Sequence, residues 1–489
     1  MFRARRQPPQ PASAPTEGTA PRAGVAITVL ASCGLLVSLV QTMVVPLLPR
    51  FPELLGVTPS TASWLITANL VAGAVSAPVL GRLGDMFGKR RMLMVALALV
   101  GAGSLLGALA PGIGLLLVAR VLQGAAFGVI ALGMSLMRDV LPADRVGSGV
   151  GLMSSSLGFG GAIGLPVTGV VAQFAGWRWL FAGAAVLGVV QILLVRRLVA
   201  ESRLRTGGRF DVAGALGVGG ALVCLLLAIS KGDAWGWSSP VVLGLFAGAA
   251  VLVLATGAYE LRVPAPLVDL RVSARPAVLL TNIASVLVGF AMFAGFVLAT
   301  QILQAPVATG YGFGLSLVVA GLVLLPMGGS MVVFSSASAR LSRRRGPRTT
   351  LVLGTLLLGA GNLAFAAMPP TVPLLMLAST VAAVGAALAY SAIPLLIMRA
   401  VPESETAAAN SLNTLARQLG TSSCTAVVTA VTTTFLLGDG GPPSATAYAI
   451  CFVAAGAAGL LATVLVLATP APAPEPDAEP AGAAPATTG

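Results

Sequence analysis

The sequence predicts an all-α membrane protein with 14 transmembrane helices, built as two six-helix pseudo-repeat bundles with an inserted helix pair. Three observations predict it. Only 9% of the 489 residues are charged and 56% are hydrophobic, against about 25% charged in soluble domains. The apolar residues fall into runs of about twenty, the length that crosses a bilayer as a helix. The basic residues gather in alternate loops, as they do where a chain weaves through a membrane.

The runs occupy, in order, residues 24–48, 60–83, 92–110, 113–137, 146–171, 179–195, 212–229, 240–259, 277–303, 314–337, 350–368, 372–398, 407–437 and 445–468. Charges, prolines or glycine clusters separate them; between the third and fourth only Pro111 and Gly112 mark the turn. Of the 29 Lys and Arg, 24 fall on one side of this threading, in clusters such as Arg82 to Arg91, Arg196 to Arg209 and Arg340 to Arg348. Arg50, Arg178 and Lys231 fall on the other side, and Arg120 and Arg417 lie inside runs. An even count with both termini cytoplasmic fits this bias.

The chain therefore divides into a disordered basic tail (1–22), a first bundle (23–200), a linker with spans seven and eight (201–275), a second bundle (276–469) and a disordered tail (470–489). The prolines of the first segment argue against a cleaved signal peptide.

Composition also excludes chemistry. There is no His in the chain, so neither an imidazole proton shuttle nor a His-ligated metal is available. Cys33, Cys224, Cys424 and Cys451 sit in apolar runs without metal-ligand spacing. No nucleophile, base and orienter occur together, so no enzyme, metal or cofactor is expected. The net charge of +13 reports loop distribution across a bilayer rather than nucleic-acid binding.

An internal repeat orders the runs. Gly81 to Arg90 recurs in degraded form as Ala339 to Arg348, an offset of 258 (81 to 339). Met137-Arg138 with Pro142 answers Met398-Arg399 with Pro402, and Leu157 to Gly160 aligns with Arg417 to Gly420 at an offset of 260. Runs one to six thus correspond to runs nine to fourteen, which leaves an inserted pair.

Gly81, Leu83, Asp85, Gly88, Lys89 and Arg90 resemble the loop signature of the major facilitator superfamily, with Met86 at its Arg position. Arg120, Gln123 and Gly124 match the Arg-x-x-Gln-Gly of that superfamily's drug exporters. Gly160, Gly161, Gly164, Pro166 and Gly169 keep the small residues of the fifth-span signature, although Leu165 divides Gly164 from Pro166. The fourteen-span drug:proton antiporter branch is the nearest likeness. It implies a latch at Gly81, Asp85, Gly88 and Arg90, a leak-limiting contact at Gly164 and Pro166, and export coupled to protons. In the second repeat Arg343 replaces the acid, so the latch belongs to the first half.

A buried Arg costs about 2.5–3.5 kcal/mol on insertion scales, so Arg120 and Arg417 are functional candidates. Arg120 lies about 10 Å from its outer helix end, within snorkelling reach, whereas Arg417 lies about 15 Å inside its span. None of the 16 acids falls inside a run away from its ends. Val40 and Val45 stand where the branch's first-span signature has Asp and Asn, so proton coupling rests on the resemblance. A cavity near the midplane is expected between the repeats, lined by Gln41, Asn69, Gln123, Ser154, Asn282, Gln301, Tyr390, Asn413 and Arg417.

These residues fit a monomeric secondary transporter in a bacterial inner membrane that exports small amphiphilic compounds such as drugs, antibiotics or metabolites. Two alternatives stand beside it: a facilitator or importer of an anionic metabolite, with Arg120 and Arg417 as counter-charges, and a receptor that keeps the fold without transport.

Overall fold

The structure, a computed structural model, describes residues 20–48, 50–202, 204–205, 210–263, 270–367, 371–402, 406–437 and 442–469. The tails expected over 1–22 and 470–489 lie outside these residues except for the backbone of 20–22, as do Arg203 and Arg209 of the linker. Helices run through nearly all of it: α1 (Ala20–Thr42), α2 (Pro59–Phe87), α3 (Lys89–Ala108), α4 (Ile113–Gln123), α5 (Ala126–Val140), α6 (Ala143–Phe174), α7 (Arg178–Leu198), α8 (Val212–Trp235), α9 (Pro240–Glu260), α10 (Pro276–Gln304), α11 (Leu317–Val323), α12 (Leu325–Ala367), α13 (Val372–Ala400), α14 (Thr406–Thr434) and α15 (Ala445–Ala468). The only strand-like pairing among the described residues is an isolated bridge between Leu436 and Pro443.

The ends are set by ordinary local chemistry. Thr58, Asp211, Ser239 and Ser444 each accept a hydrogen bond from a backbone N–H in the first turn of the helix that follows, which satisfies donors no helical partner can reach.

Eleven of the described helical segments are long and apolar enough to cross a membrane, or twelve if the pair Ala143–Gly161 and Pro166–Phe174 counts as one. The expected fourteen are not reached by that measure, and the shortfall has two sources. The tenth and eleventh runs lie in one continuous segment, Val318–Ala367. The thirteenth becomes α14, whose many Thr, Ser and Asn side chains and Arg417 lower its apolarity.

Inside the continuous segment the backbone departs from the helix at Gly346, with φ 84°. Gly88 stands 258 residues earlier and is also left-handed, with φ 109°, between α2 and α3. A side chain at either position meets steric strain, so glycine allows the reversal in both halves. Helix packing repeats at the same offset. A Cβ on Gly103 would lie 2.7 Å from the Ala119 carbonyl of α4, and one on Gly361 would lie 2.6 Å from the Ala382 amide of α13. At the offset of 260, Gly160 of α6 closes on Ser38 of α1, and Gly420 of α14 closes on the Val286 carbonyl of α10.

Two large apolar cores result. One draws on residues 23–199 together with Met398 and Ala407, and the other on residues 278–466. A small third cluster, Ala74, Leu222, Leu226 and Leu415, fills the seam where α8 meets both α2 and α14.

Candidate functional site

The loop signature folds as a clasp between the two sets of helices. Near the end of α2, Gly81 allows α14 to approach so closely that a Cβ there would lie 2.1 Å from Ser411 Oγ and 2.9 Å from the Ala407 carbonyl. One turn on, Asp85 is 1% exposed and faces the start of α14. Its Oδ1 accepts from the Ala407 N–H at 3.3 Å and its Oδ2 from the Ala408 N–H at 2.9 Å. A carboxylate placed on the orphan N–H groups of a helix start is favoured by both hydrogen bonding and the helix dipole, by up to about 2 kcal/mol in partly buried settings.

Lys89 completes the clasp. Its Nζ lies 2.7 Å from Asp139 Oδ2 and 3.6 Å from Asp85 Oδ1, and it donates to Thr406 Oγ1 at 2.9 Å. Ser202 Oγ donates to the same Asp139 oxygen. Glu201 holds the hairpin from outside, accepting from the Arg90 and Arg91 N–H groups at 2.9 and 3.2 Å. At Gly88 a Cβ would come within 3.0 Å of that carboxylate. The Arg90 guanidinium donates to the Arg196 carbonyl. In the second repeat Arg343 reaches the Asp144 carbonyl at 3.0 Å and Ser148 Oγ at 3.4 Å, an exposed contact with the start of α6.

Arg120 does not snorkel. It is 1% exposed, with Nε donating to the Leu65 carbonyl at 3.0 Å and Nη1 to the Val40 carbonyl at 3.1 Å and to Gln123 Oε1 at 2.7 Å. Gln123 in turn donates to Ser104 Oγ at 2.9 Å. These bonds fasten α4 to α1, α2 and α3, and they engage Gln123 with protein partners where the sequence reading gave it to a ligand.

Arg417 is different. It is half-buried in the middle of α14, with its guanidinium carbon 4.9 Å from the ring centroid of Tyr390. One turn away, Asn413 donates to Asn282 Oδ1 at 3.0 Å and Ser285 Oγ at 2.7 Å. Ser154 of α6 donates to the Tyr390 carbonyl at 2.9 Å, which brings Ser154, Tyr390, Arg417, Asn413 and Asn282 from four helices into one region. Asn69 is buried with its Oδ1 unpartnered among the described residues. Gln41 is half-buried and Gln301 is exposed.

Along α6 the two sets pack on one another. A Cβ on Gly158 would overlap Met331, one on Gly151 would lie 3.2 Å from the Ser335 carbonyl, and Pro166 lies 2.6 Å from the position a Cβ would take on Gly321. Gly164 packs on Thr42, 2.2 Å from the corresponding position. A cavity of about 200 Å³ lies within the second set, between Tyr311, Phe365, Leu375 and Phe452.

Sequence reasoning passed over Thr406, Glu201, Ser202 and Lys231. Asp85 and Lys89 stand four residues apart across the turn at Gly88, but their further partners come from distant segments. Lys231, placed in a loop from sequence, is 2% exposed in α8, donates to Ser63 Oγ at 2.6 Å and lies 4.5 Å from the Trp64 ring centroid.

Two helical sets clasped through charged residues across a shared seam define a multi-pass membrane transporter. The chain belongs to the Major Facilitator Superfamily, whose family profile matches residues 30–424. It is 30% identical over 452 residues to the puromycin resistance protein pur8 of Streptomyces alboniger, covering 89% of this chain and 87% of that one. It is also 30% identical to a lincomycin resistance protein of Streptomyces lincolnensis, covering 91% and 90%. The crystal structure of the human organic anion transporter MFSD10 superposes with a TM-score of 0.64 over 91% of this chain and 99% of that one, and at 17% identity the likeness shows the fold alone.

Proposed function

We propose that this chain exports small amphiphilic compounds across a bacterial inner membrane by alternating access, as a monomer of fourteen crossings with both termini cytoplasmic. In this reading the first bundle is 23–200, the second 276–469, and residues 201–275 supply the inserted pair. The left-handed break at Gly346 supports counting two crossings within Val318–Ala367, and the 29-residue length of α14 supports a further one. The density of arginines beside Asp85 supports placing the clasp on the cytoplasmic side.

The observation that carries the reading is Asp85 on the start of α14. It ties the bundles together at one end only through contacts that water and charge rearrangement can release, as a gate requires. The drug-resistance roles named for the relatives support export of antibiotic-like compounds. Proton coupling, implied by the branch, would run through Asp85 and Asp139, the carboxylates at that gate.

Expression in a drug-sensitive host lacking its own pumps, challenged with puromycin, lincomycin and a wider panel, tests export. Raised tolerance to at least one compound, lost in Asp85→Asn, is expected. Unchanged tolerance throughout, with the protein present in the membrane and no flux in everted vesicles, overturns the reading.

A further inference from the structure

The two arginines inside the bundle are treated oppositely by their surroundings. Arg120 has three acceptors and no access to solvent. Arg417 has five N–H donors, yet among the described residues no carboxylate pairs with it and no oxygen accepts from its guanidinium; it rests against the Tyr390 ring alone. The residue nevertheless retains partial exposure at mid-helix, beside the Tyr390 ring.

No counter-charge stands near by in sequence. Asp85, Asp139, Asp233 and Glu260 occupy the last turns of their helices and Asp144 a first turn, while α1, α10 and α12 to α15 contain no acid. A guanidinium left without an anion in a low-dielectric interior attracts one strongly, and its planar fork matches a carboxylate two bonds at a time. It repels an organic cation for the same reason. Tyr390 supplies an aromatic face beside the charge, and Asn282 and Asn413 supply amide groups one turn away.

Resting on the export reading above, we propose that Arg417 is the anion-recognition residue of this transporter and that its substrates are amphiphiles bearing one ionised acidic group beside an aromatic or apolar body. Such a substrate leaves a cell whose interior is negative with the field, a bias of about fifty-fold in concentration per 100 mV.

Three probes of one fluorophore and different charge test this: dansylglycine (anionic), dansylglycinamide (neutral) and dansylcadaverine (cationic). Binding is read by fluorescence on the purified full chain, and flux in proteoliposomes holding a potassium diffusion potential. Dansylglycine is expected to bind at least about tenfold tighter than the other two, as one well-formed charge-assisted contact provides. Arg417→Gln should erase that ranking and Arg417→Lys restore part of it. Elution of each variant as a single species controls for folding. Equal binding of all three probes, preference for dansylcadaverine, or an unchanged ranking in Arg417→Gln overturns the proposal. If the neutral or cationic probe is exported while dansylglycine is not, export stands and the substrate class falls. If none of the three binds or moves while the chain still raises drug tolerance, export stands and this proposal falls.

Discussion

Lys89 and Asp139 form an ion pair of 2.7 Å in which both side chains are almost wholly shielded from water, and the same ammonium reaches Thr406 in the opposite bundle. The pair is internal to the first bundle, while its third contact crosses the seam. Whatever loosens the seam therefore leaves a buried pair short of one bond rather than an isolated charge.

Removing one partner of such a pair should cost far more than removing both. Lys89→Met leaves the buried carboxylates of Asp85 and Asp139 without their shared counter-charge, a loss of about 3–5 kcal/mol. Lys89→Met combined with Asp139→Leu should regain most of the lost thermal stability. Melting of the purified variants in detergent measures this, and a double variant no more stable than the single one refutes it.

Neutralising the clasp should open it. Asp85→Asn keeps an acceptor but removes the charge that favours the start of α14, shifting the closed state by about 1–2 kcal/mol, or roughly 5- to 30-fold in population. The readout is maleimide labelling of Ser411→Cys, which lies buried against Gly81 in the closed form. Faster labelling in the Asp85→Asn background is expected; an equal rate excludes a role for the charge.

The inserted pair should travel with the first bundle. Polar contacts bind α8 to α2, with Thr67 and Ser230 hydroxyls 2.8 Å apart and Lys231 on Ser63, whereas α8 meets α14 through Leu222, Leu226 and Leu415. In a chain without its native cysteines, a Thr67→Cys/Ser230→Cys disulfide should leave flux near the unlinked rate. A Ser135→Cys/Asn410→Cys disulfide, placed across the seam where Asn410 donates to Ser135 Oγ at 3.2 Å, should arrest flux until reduced. Arrest by the first cross-link places α8 with the moving second bundle instead.

Arg120 should behave as a structural fastener. Arg120→Ala removes its bonds to the Leu65 and Val40 carbonyls and to Gln123 Oε1, a cost of about 2–5 kcal/mol. Yield and melting temperature should fall for the apo protein. A variant that melts normally but has lost ligand affinity contradicts this assignment.

The helical architecture was legible because twenty-residue apolar runs and arginine-rich loops are direct consequences of a bilayer. The repeat was legible at Gly88, which has a left-handed counterpart in Gly346. What sequence left hidden was long-range. Nothing local says that Asp85 meets a helix starting more than three hundred residues later, or that Glu201 caps α3. Gln123 and Asn69 are both polar residues on apolar helices, and periodicity does not reveal that one is fully bonded to its neighbours while the other keeps a free oxygen.

The divergence of the two hairpins has a mechanical outcome. On one flank of the closed end stands a dry carboxylate seated on a helix start; on the other, Arg343 makes wet contacts that solvent contests at every moment. Fasteners of unequal strength do not part together. A separation of the two sets at this end is expected to begin on the Arg343 flank, between α6 and α12, before it reaches Asp85.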